Sequence, residues 1–446
     1  MAGISLSGLA SGMDTDSLVS QILAAEGTGR TRLSNQQTKA EARVAALQGF
    51  QTKLTALNSA AVQLRSVTTW ANTQKATSAD ETALKASISA GAASGTYSVQ
   101  TLSLAGSAQR TFTYTPPNNN RAVTFGNVNI TVAKDATLDD VVKQVNDAGG
   151  NVTAVNVQGK LVVSAKTTGA ASTFAYSGTP LSQDSARAGT DFTYKVDGGA
   201  TKSSSTNLAA DGIPGVDLTG LKIGTTNVTV TAPAPDSDVI VSKVKAFVDA
   251  YNAVLETANA AIKEKPVKDA TLSIDMKKGT LFGDQGLTRT ISSLRNSMTT
   301  AVTGMAGTIN ELSDLGITTG LSTGAASTPD QIAGKLVIDE AKLKEALTSN
   351  PDSVKEFLGG KSGTNGFAQR LEGLVQPMTQ AGQGYADRID RGNSEVSRLK
   401  SSLTRFDERL ERRETQLRAQ FAAMEAALSK NQARAADFSA QLARLG

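Results

Sequence analysis

The C-terminal stretch, residues 385–445, carries an apolar stripe with the spacing of an α-helix. Its large apolar side chains recur every three or four residues, which is the heptad pattern of a helix that packs along another helix. At about 1.5 Å per residue such a helix would be roughly 90 Å long, so the pattern predicts a partner helix in this chain or on another copy. The stripe consists of Val396, Leu399, Leu403, Phe406, Leu410, Leu417, Phe421, Met424, Leu428, Phe438, Leu442 and Leu445.

The phase of this stripe changes once. Arg413 and Glu414 occupy the expected core position between Leu410 and Leu417, and the next apolar residue comes one position late. A slip of this kind alters the supercoil locally. We therefore predict a candidate hinge at Arg413 and Glu414.

A second apolar stripe lies near the N-terminus. We predict a short helix that begins at Asp14 or Asp16, a break at residues 27–29, and a long helix over residues 31–67. The two chain ends are expected to run together as a helical leg, because the long helix has similar three- and four-residue spacing. The residues predicted to make seam contacts in this leg are Leu47, Leu54, Leu57, Leu64, Leu399, Leu403, Phe406, Leu410, Leu417, Phe421 and Leu428.

Between the helical ends the apolar period changes to two, which is typical of half-buried strands. One helix is predicted inside this region, over residues 138–148, with Thr137 as its N-cap. We interpret residues 76–236 as a β-rich head of one or two subdomains. The predicted strands are residues 97–104, 128–132, 161–164, 192–196 and 228–231.

Helical patterns return after residue 237. Helices are predicted to start near Asp238, Asp284, Asp339 and Pro351, and a short strand is predicted at residues 336–338. The fold class is thus an α+β multidomain protein, with a coiled-coil leg formed by both chain ends and β-rich head domains inserted between them. The predicted segments are residues 1–75, 76–236, 237–384 and 385–446.

Composition narrows the function classes. The 446 residues include no cysteine and no histidine, which removes disulfides, thiolate chemistry and the commonest zinc ligand. The net charge is +4, and the C-terminal stretch mixes twelve basic with nine acidic residues, which weakens a nucleic-acid interpretation. No apolar run reaches the length of a membrane span, and the first residues lack the pattern of a cleaved signal peptide, so ordinary rules predict a cytoplasmic protein.

Candidate chemical motifs have simpler structural explanations. Gly360, Lys361 and Ser362 resemble the end of a phosphate-binding loop, but the required first glycine is Lys355 and a helix stop is expected. Ser397 and Lys400 have the spacing of an acylating pair but lie in the heptad helix. Asp14 with Asp16, and Asp339 with Glu340, could bind a cation, but each pair stands where a helix begins. We therefore expect helix caps there, and no catalytic residue, metal site or cofactor.

Five stretches of the chain resemble the flagellar filament cap protein family, also called flagellar hook-associated protein 2. The opening, ISLSGLASGMDTDSLV at residues 4–19, is similar to the start of that family's sequences. Residues 124–169 resemble a repeat found in flagellins and hook-associated proteins. Residues 247–254, residues 315–317 together with 334–340, and residues 409–421 carry the other similarities.

This resemblance implies a homo-oligomeric ring, often a pentamer, at the distal end of the bacterial flagellar filament. Members retain exported flagellin and promote its insertion and folding. The implied partners are flagellin, a neighbouring hook-associated junction protein and a flagellar export chaperone. The resemblance also implies an extracellular protein that is exported by the flagellar type III system without a cleaved signal peptide, which replaces the cytoplasmic expectation.

Two alternatives stay open from the sequence. One is another axial flagellar component, a junction protein or flagellin itself. The other is an adhesin that binds host mucin through the head.

Overall fold

The computed structural model describes residues 13–305, 308–319, 334–361 and 364–442 and divides the chain into two units. One unit joins Met1–Trp70 to Ser237–Gly446, and the other is Ala71–Asp236. The described helices are α1 (Thr15–Glu26), α2 (Thr28–Leu64), α3 (Leu138–Asp147), α4 (Ser237–Lys263), α5 (Ser273–Met276), α6 (Gln285–Thr299), α7 (Glu340–Ser349), α8 (Pro351–Gly359), α9 (Phe367–Thr379) and α10 (Gly384–Leu442).

The helical unit is built around the second half of α2. From Val44 to Leu64 the apolar side chains of this helix are buried in one core together with residues of α4, α6, α7, α8 and α9. Leu54 and Leu57 have no exposed surface. Phe50 meets the ring of Tyr385 edge-on, with 4.9 Å between the ring centroids. The apolar stripe predicted on this helix is therefore a core face over half of its length.

Capping residues fix several helix starts at the predicted positions. Asp14 accepts a hydrogen bond from the Ser17 amide at the start of α1, and Asp339 accepts one from Lys342 at the start of α7. Proline at the first position begins α8. These side chains satisfy backbone N–H groups that have no partner inside the helix, so the carboxylates singled out in the sequence have structural roles here.

The predicted break at residues 27–29 is almost absent. Gly27 alone interrupts the helices, and its φ of −70° and ψ of −10° keep the backbone in the right-handed helical region. Glycine permits a left-handed turn but does not require one. As a result α2 begins at Thr28, three residues before the predicted start.

The unit Ala71–Asp236 consists of antiparallel sheets. Its strands are β1 (Asn72–Thr73), β2 (Ala76–Ser78), β3 (Leu84–Ile88), β4 (Gly95–Ser103), β5 (Ser107–Tyr114), β6 (Arg121–Phe125), β7 (Val128–Val132), β8 (Val152–Val157), β9 (Lys160–Thr168), β10 (Tyr176–Ser177), β11 (Leu181–Arg187), β12 (Phe192–Val196), β13 (Lys202–Ser204), β14 (Leu208–Ile213), β15 (Val216–Gly220), β16 (Gly224–Val230) and β17 (Ala234–Pro235). A further pair, β18 (Ile317–Thr318) with β19 (Val337–Ile338), belongs to the helical unit.

Two separate apolar cores divide this β-rich unit. One core contains Phe112, Phe125 and Val141 and is enclosed by β5 to β11 and α3, whose predicted N-cap Thr137 forms a capping box with Asp140. The other core contains Phe192 and Leu218 and includes the sheet of order β13-β12-β4-β16-β2. Because β4 and β12 pair directly, the first subdomain is an insertion between two neighbouring strands of the second.

Truncation of Leu54 to alanine should destabilise the helical unit by about 2–5 kcal/mol, because Leu54 is fully buried and its removal leaves a cavity that the core fills only partly. Urea unfolding followed by the helical circular dichroism signal at 222 nm measures this loss. The neighbouring Lys53 is exposed, so Lys53→Ala should change stability by no more than about 0.5 kcal/mol. Equal stability of the two variants would place Leu54 outside the core.

Candidate functional site

The candidate site is the leg, which we define as α1, the first half of α2, and α10. Along the leg, residue numbers fall on α2 and α1 while those of the contacting residues on α10 rise. Helix α10 therefore runs antiparallel to α1 and α2. The side-chain contacts, in order along the leg, are Val44 with Gly392, Glu41 with Lys400, Arg30 with Asp407, Glu26 with Arg413 and Asp16 with Arg418. The two chain ends thus form the helical leg that the heptad pattern predicts.

Close approach of the two helices depends on glycine at two positions. A Cβ atom placed on Gly392 of α10 would lie 2.5 Å from Val44 Cγ2 on α2. A Cβ atom on Gly29 of α2 would lie 2.9 Å from the ring of Phe406. Helix backbones approach closely where side chains are small, and a Cβ at such a point forces one helix outward. The glycines at 29 and 392 therefore allow the observed packing distance.

The predicted seam residues fall into three groups. Leu47, Leu54, Leu57 and Leu64 are buried in the helical core, where α4 and α9 also cover α2. Leu399, Leu403, Phe406 and Leu410 are half-buried beside the first half of α2, and Phe421 is also half-buried. Leu417 packs at the end of the leg beside α1 with 6% of its surface exposed, whereas Leu428 is 37% exposed.

Apolar burial in the leg therefore varies along its length. Beyond Phe421 the stripe is exposed to solvent, with Phe438 64% and Leu442 56% exposed. Ion pairs flank the partly buried region: Arg30 Nε lies 2.5 Å from Asp407 Oδ1, and both side chains are about half exposed. Such exposed pairs contribute about 0.2–1 kcal/mol each, so they set the register of the helices more than they stabilise the leg.

The phase slip on α10 lies opposite the junction between α1 and α2. Arg413 Nε is 3.2 Å from Glu26 Oε1, one residue before Gly27, and Glu414 accepts a hydrogen bond from Arg418 on its own helix at 2.9 Å. Helix α10 itself is continuous through these residues. At the same residues α10 changes its partner helix from α2 to α1. Motion at Arg413 and Glu414 stays a prediction.

An ion pair anchors α10 where it leaves the helical core. Both guanidinium Nη atoms of Arg388 donate to the carboxylate of Asp284, the N-cap of α6, and Nη1 lies 3.2 Å from Oδ1. Burial raises the pKa of Asp284, but the hydrogen bonds and charge of Arg388 and two backbone N–H groups outweigh it, so the pKa lies below its ordinary value. This contact joins the start of the leg to the core.

Sequence reasoning missed α9, which contributes to the same assembly. Arg65 at the end of α2 pairs with Glu372 at 2.7 Å, and Gln51 donates to the carbonyl of Thr379 at 3.2 Å. Helix α9 is thus the antiparallel neighbour of the second half of α2. Its apolar residues have helical spacing, but Gly373 and Pro377 lower its intrinsic helix propensity. For this reason the sequence did not lead us to predict a helix here.

Chemical sites are sparse on the described chain. Within residues 13–305, 308–319, 334–361 and 364–442, no three His, Cys, Asp or Glu side chains converge as metal ligands would. Helices in the same residues lack the combination of length and apolar character that crossing a bilayer requires. Lys361 lies beside the end of α8, as expected for a helix stop, while Ser362 lies outside the described residues.

A helical leg built from both chain ends, with a β-rich insertion between them in sequence, defines an α+β multidomain protein. Family comparisons agree with this class. A model described as "Flagellar hook-associated protein 2 C-terminus" matches residues 189–433, more than half of the chain, and its N-terminal counterpart matches residues 11–108. The chain therefore belongs to the flagellar hook-associated protein 2 family, whose members are structural cap proteins of the flagellar filament. A model described as "Flagellin hook IN motif" matches residues 111–167 and overlaps the predicted repeat.

Individual relatives carry the same name. The B-type flagellar hook-associated protein 2 of Pseudomonas aeruginosa is 29% identical over 97% of this chain and 96% of its own length. The flagellar hook-associated protein 2 of Thermotoga maritima is 28% identical over 76% of this chain, which spans 57% of that relative. The crystal structure of the flagellar cap protein FliD D1-D2-D3 domains from Escherichia coli is similar over 79% of this chain and 99% of that one, at 21% identity and a TM-score of 0.43.

Alanine at Gly392 should weaken the leg, because the added methyl group meets Val44. Overpacking costs about 1–3 kcal/mol, while removing a glycine from a helix interior returns up to about 1 kcal/mol. Gly49, on the other long helix, is the matched control, since a Cβ there meets no atom within 4 Å. Thermal and urea unfolding should give Gly49→Ala a free energy of unfolding about 1–3 kcal/mol higher than that of Gly392→Ala. The reverse order would contradict close packing at Gly392.

The Asp284–Arg388 pair should make stability depend on acid pH. The folded-state pKa of Asp284 is lowered, so its contribution is complete above the unfolded value of about 3.9 and is lost as the pH falls through the folded value. Asp284→Asn keeps a good N-cap but removes the charge. The stability gap between the native chain and Asp284→Asn should shrink on acidification below about pH 4. In an Arg388→Gln background the gap should be smaller at neutral pH; an unchanged gap there would remove Arg388 from the explanation.

Proposed function

We propose that this protein caps the distal end of the bacterial flagellar filament, retains exported flagellin there and promotes its insertion and folding. Family membership supports the cap role and does not support the junction-protein, flagellin or adhesin alternatives. The observation that carries the proposal for this chain is the uneven burial of the leg. Its apolar stripe is buried where it joins the helical core, half-buried along α2, buried again at Leu417 beside α1, and exposed from Met424 onward.

The half-buried part of the leg suits a contact that must release and rebind. A fully buried helix pair would hold its partner permanently, because each buried large apolar side chain contributes about 1.5–3 kcal/mol. Half-buried residues such as Leu403 and Leu410, with exposed ion pairs beside them, contribute less. We infer that the leg seams contact flagellin. We also infer that the distal leg moves at the Arg413–Glu26 ion pair, next to Gly27.

Further parts of the proposal rest on the resemblance to the family. The chain forms a closed ring of several copies, often five in the family, with head-to-tail contacts between identical subunits. It leaves the cell through the flagellar type III system, with an export chaperone as an earlier partner, and it borders a hook-associated junction protein before filament growth. The division into segments 1–75, 76–236, 237–384 and 385–446 belongs to the same proposal, with the head as plate and the ends as legs.

A chain truncated after Leu410 tests the role of the distal leg. In a bacterium whose own copy is deleted, this variant should fail to support filament growth, because the Leu417 contact and the exposed stripe are removed. Flagellin should then accumulate in the culture medium as monomer, measured by immunoblot of the supernatant against the filament fraction.

Two controls make that experiment specific. The full chain should restore filaments, and the purified truncated protein should keep the antiparallel sheet signal of Ala71–Asp236, which its deletion does not touch. Filaments of normal length on cells that carry the truncated protein would refute the proposed role of residues 411–446.

A further inference from the structure

Four arginines on α10 are spaced at intervals of seven residues: Arg391, Arg398, Arg405 and Arg412. We call this set the arginine ladder. Seven residues are nearly two helical turns, so these side chains project from one flank of the helix, and successive arginines lie about 10.5 Å apart along its axis. All four are exposed. The ladder is separate from the apolar seam, because the seam residues Leu399, Leu403, Phe406 and Leu410 occupy other heptad positions.

Three of the four ladder arginines lack an ion pair within the described residues. Arg391 pairs with Asp387 on its own helix, but within the described residues Arg398, Arg405 and Arg412 have no carboxylate within ion-pair distance. Arg405 donates only to the Ser402 hydroxyl, at 3.2 Å. An arginine without an ion-pair partner keeps its fork of donors available for an incoming carboxylate.

Small side chains leave room between the arginines. Ser397, Ser401 and Ser402 line one groove together with Arg398 and Arg405. Arg391 and Arg398 line a second groove, of about 410 Å³, whose opposite wall on α2 includes Ala40 and Arg43. A shallow surface of serines and alanines admits another helix at short distance, and the arginines lie along the path that it would follow.

We propose that the arginine ladder is the docking surface for an acidic helix of a partner protein, with glutamate or aspartate at seven-residue intervals. A helix that lies along α10 repeats every 10.5 Å at that spacing, so its carboxylates meet successive arginines whichever way it runs. Arginine binds carboxylates through two parallel hydrogen bonds, which adds direction to the charge attraction. The inference deepens the proposed function and rests on it only for the identity of the partner, an exported filament subunit.

Other polyanions fit this surface less well than a helix does. Glu395 lies within the Arg391–Arg398 groove, and Glu408 follows Arg405 by three residues, so the flank is not the one-signed stripe that phosphate backbones favour. A helix places its carboxylates at discrete points and can avoid these glutamates. The spacing of charges, rather than their number, is therefore the property to test.

The test measures binding of the full chain to three synthetic four-heptad, alanine-rich helical peptides by fluorescence anisotropy. The first peptide has glutamate once in every heptad, the second has the same number of glutamates at irregular spacing, and the third has glutamine in place of glutamate. The heptad peptide should bind about tenfold more tightly than the irregular one, and its affinity should fall as salt rises from about 50 mM to about 0.5 M.

Variants of the chain assign the binding to the ladder. Arg398→Gln combined with Arg405→Gln should weaken binding of the heptad peptide about tenfold, because two arginine–carboxylate contacts are lost. The matched control combines Lys430→Gln with Arg434→Gln, which removes two exposed charges from the same helix outside the ladder and should leave affinity within about twofold. Glutamine retains good helix propensity, and thermal unfolding checks that both variants keep the leg.

Three outcomes would overturn the proposal. They are equal binding of the regular and irregular peptides, equal losses in the ladder and control variants, and displacement of the heptad peptide by polyphosphate at lower concentration than by the peptide itself. None of these measurements involves flagellin, so a failed capping experiment and a failed ladder are distinguishable. Failure of the full chain to restore filaments, with intact peptide binding, would refute the proposed function alone.

Discussion

The antiparallel packing of the two chain ends is the interaction on which the helical unit depends. Arg30 and Asp407 are 377 positions apart in sequence, yet their side chains are hydrogen-bonded. Closing a loop of this length costs about 5 kcal/mol of chain entropy if the intervening residues are treated as flexible. The second half of α2 offsets this cost, because residues such as Phe50, Leu54 and Leu57 are fully buried and contribute about 1.5–3 kcal/mol each. The second half of α2 therefore holds the chain ends together, and the first half can contribute less to stability.

This division explains why the contacts of α10 differ along its length. Near Tyr385, α10 belongs to the helical core, and its anchor there is the Arg388–Asp284 pair. Towards Arg418 it is held by half-buried leucines, by the buried Leu417, and by exposed ion pairs whose individual contributions are small. The leg is thus positioned by the helical core and by Leu417, and its apolar stripe is exposed beyond Phe421.

Local signals in the sequence predicted local structure well. The capping residues Asp14, Thr137 and Asp339 act as expected, and the strands β7 and β12 have the predicted bounds, because caps and period-two alternation depend on nearby residues alone. What the sequence could not reveal was which helix covers which face. The apolar stripe on α2 is the same whether α9 or α10 lies on it, and the exchange near Phe50 is decided by packing between distant segments. The nested insertion of one β subdomain between β4 and β12 is non-local in the same way.

Composition alone does not show on which face of α10 each charged residue lies. Counting twelve basic and nine acidic residues in the C-terminal stretch indicates a mixed, solvated face, but a count discards the phase of each residue on the helix. Once the seam fixes which face meets α2, each arginine acquires a direction, and those at 391, 398, 405 and 412 fall on one flank. Charges of both signs on α10 pair across the seam: Asp407 with Arg30, and Lys400, Arg413 and Arg418 with acidic residues of α1 and α2. These pairs set the register of the leg, while the ladder arginines that lack an ion pair within the described residues are available to a partner.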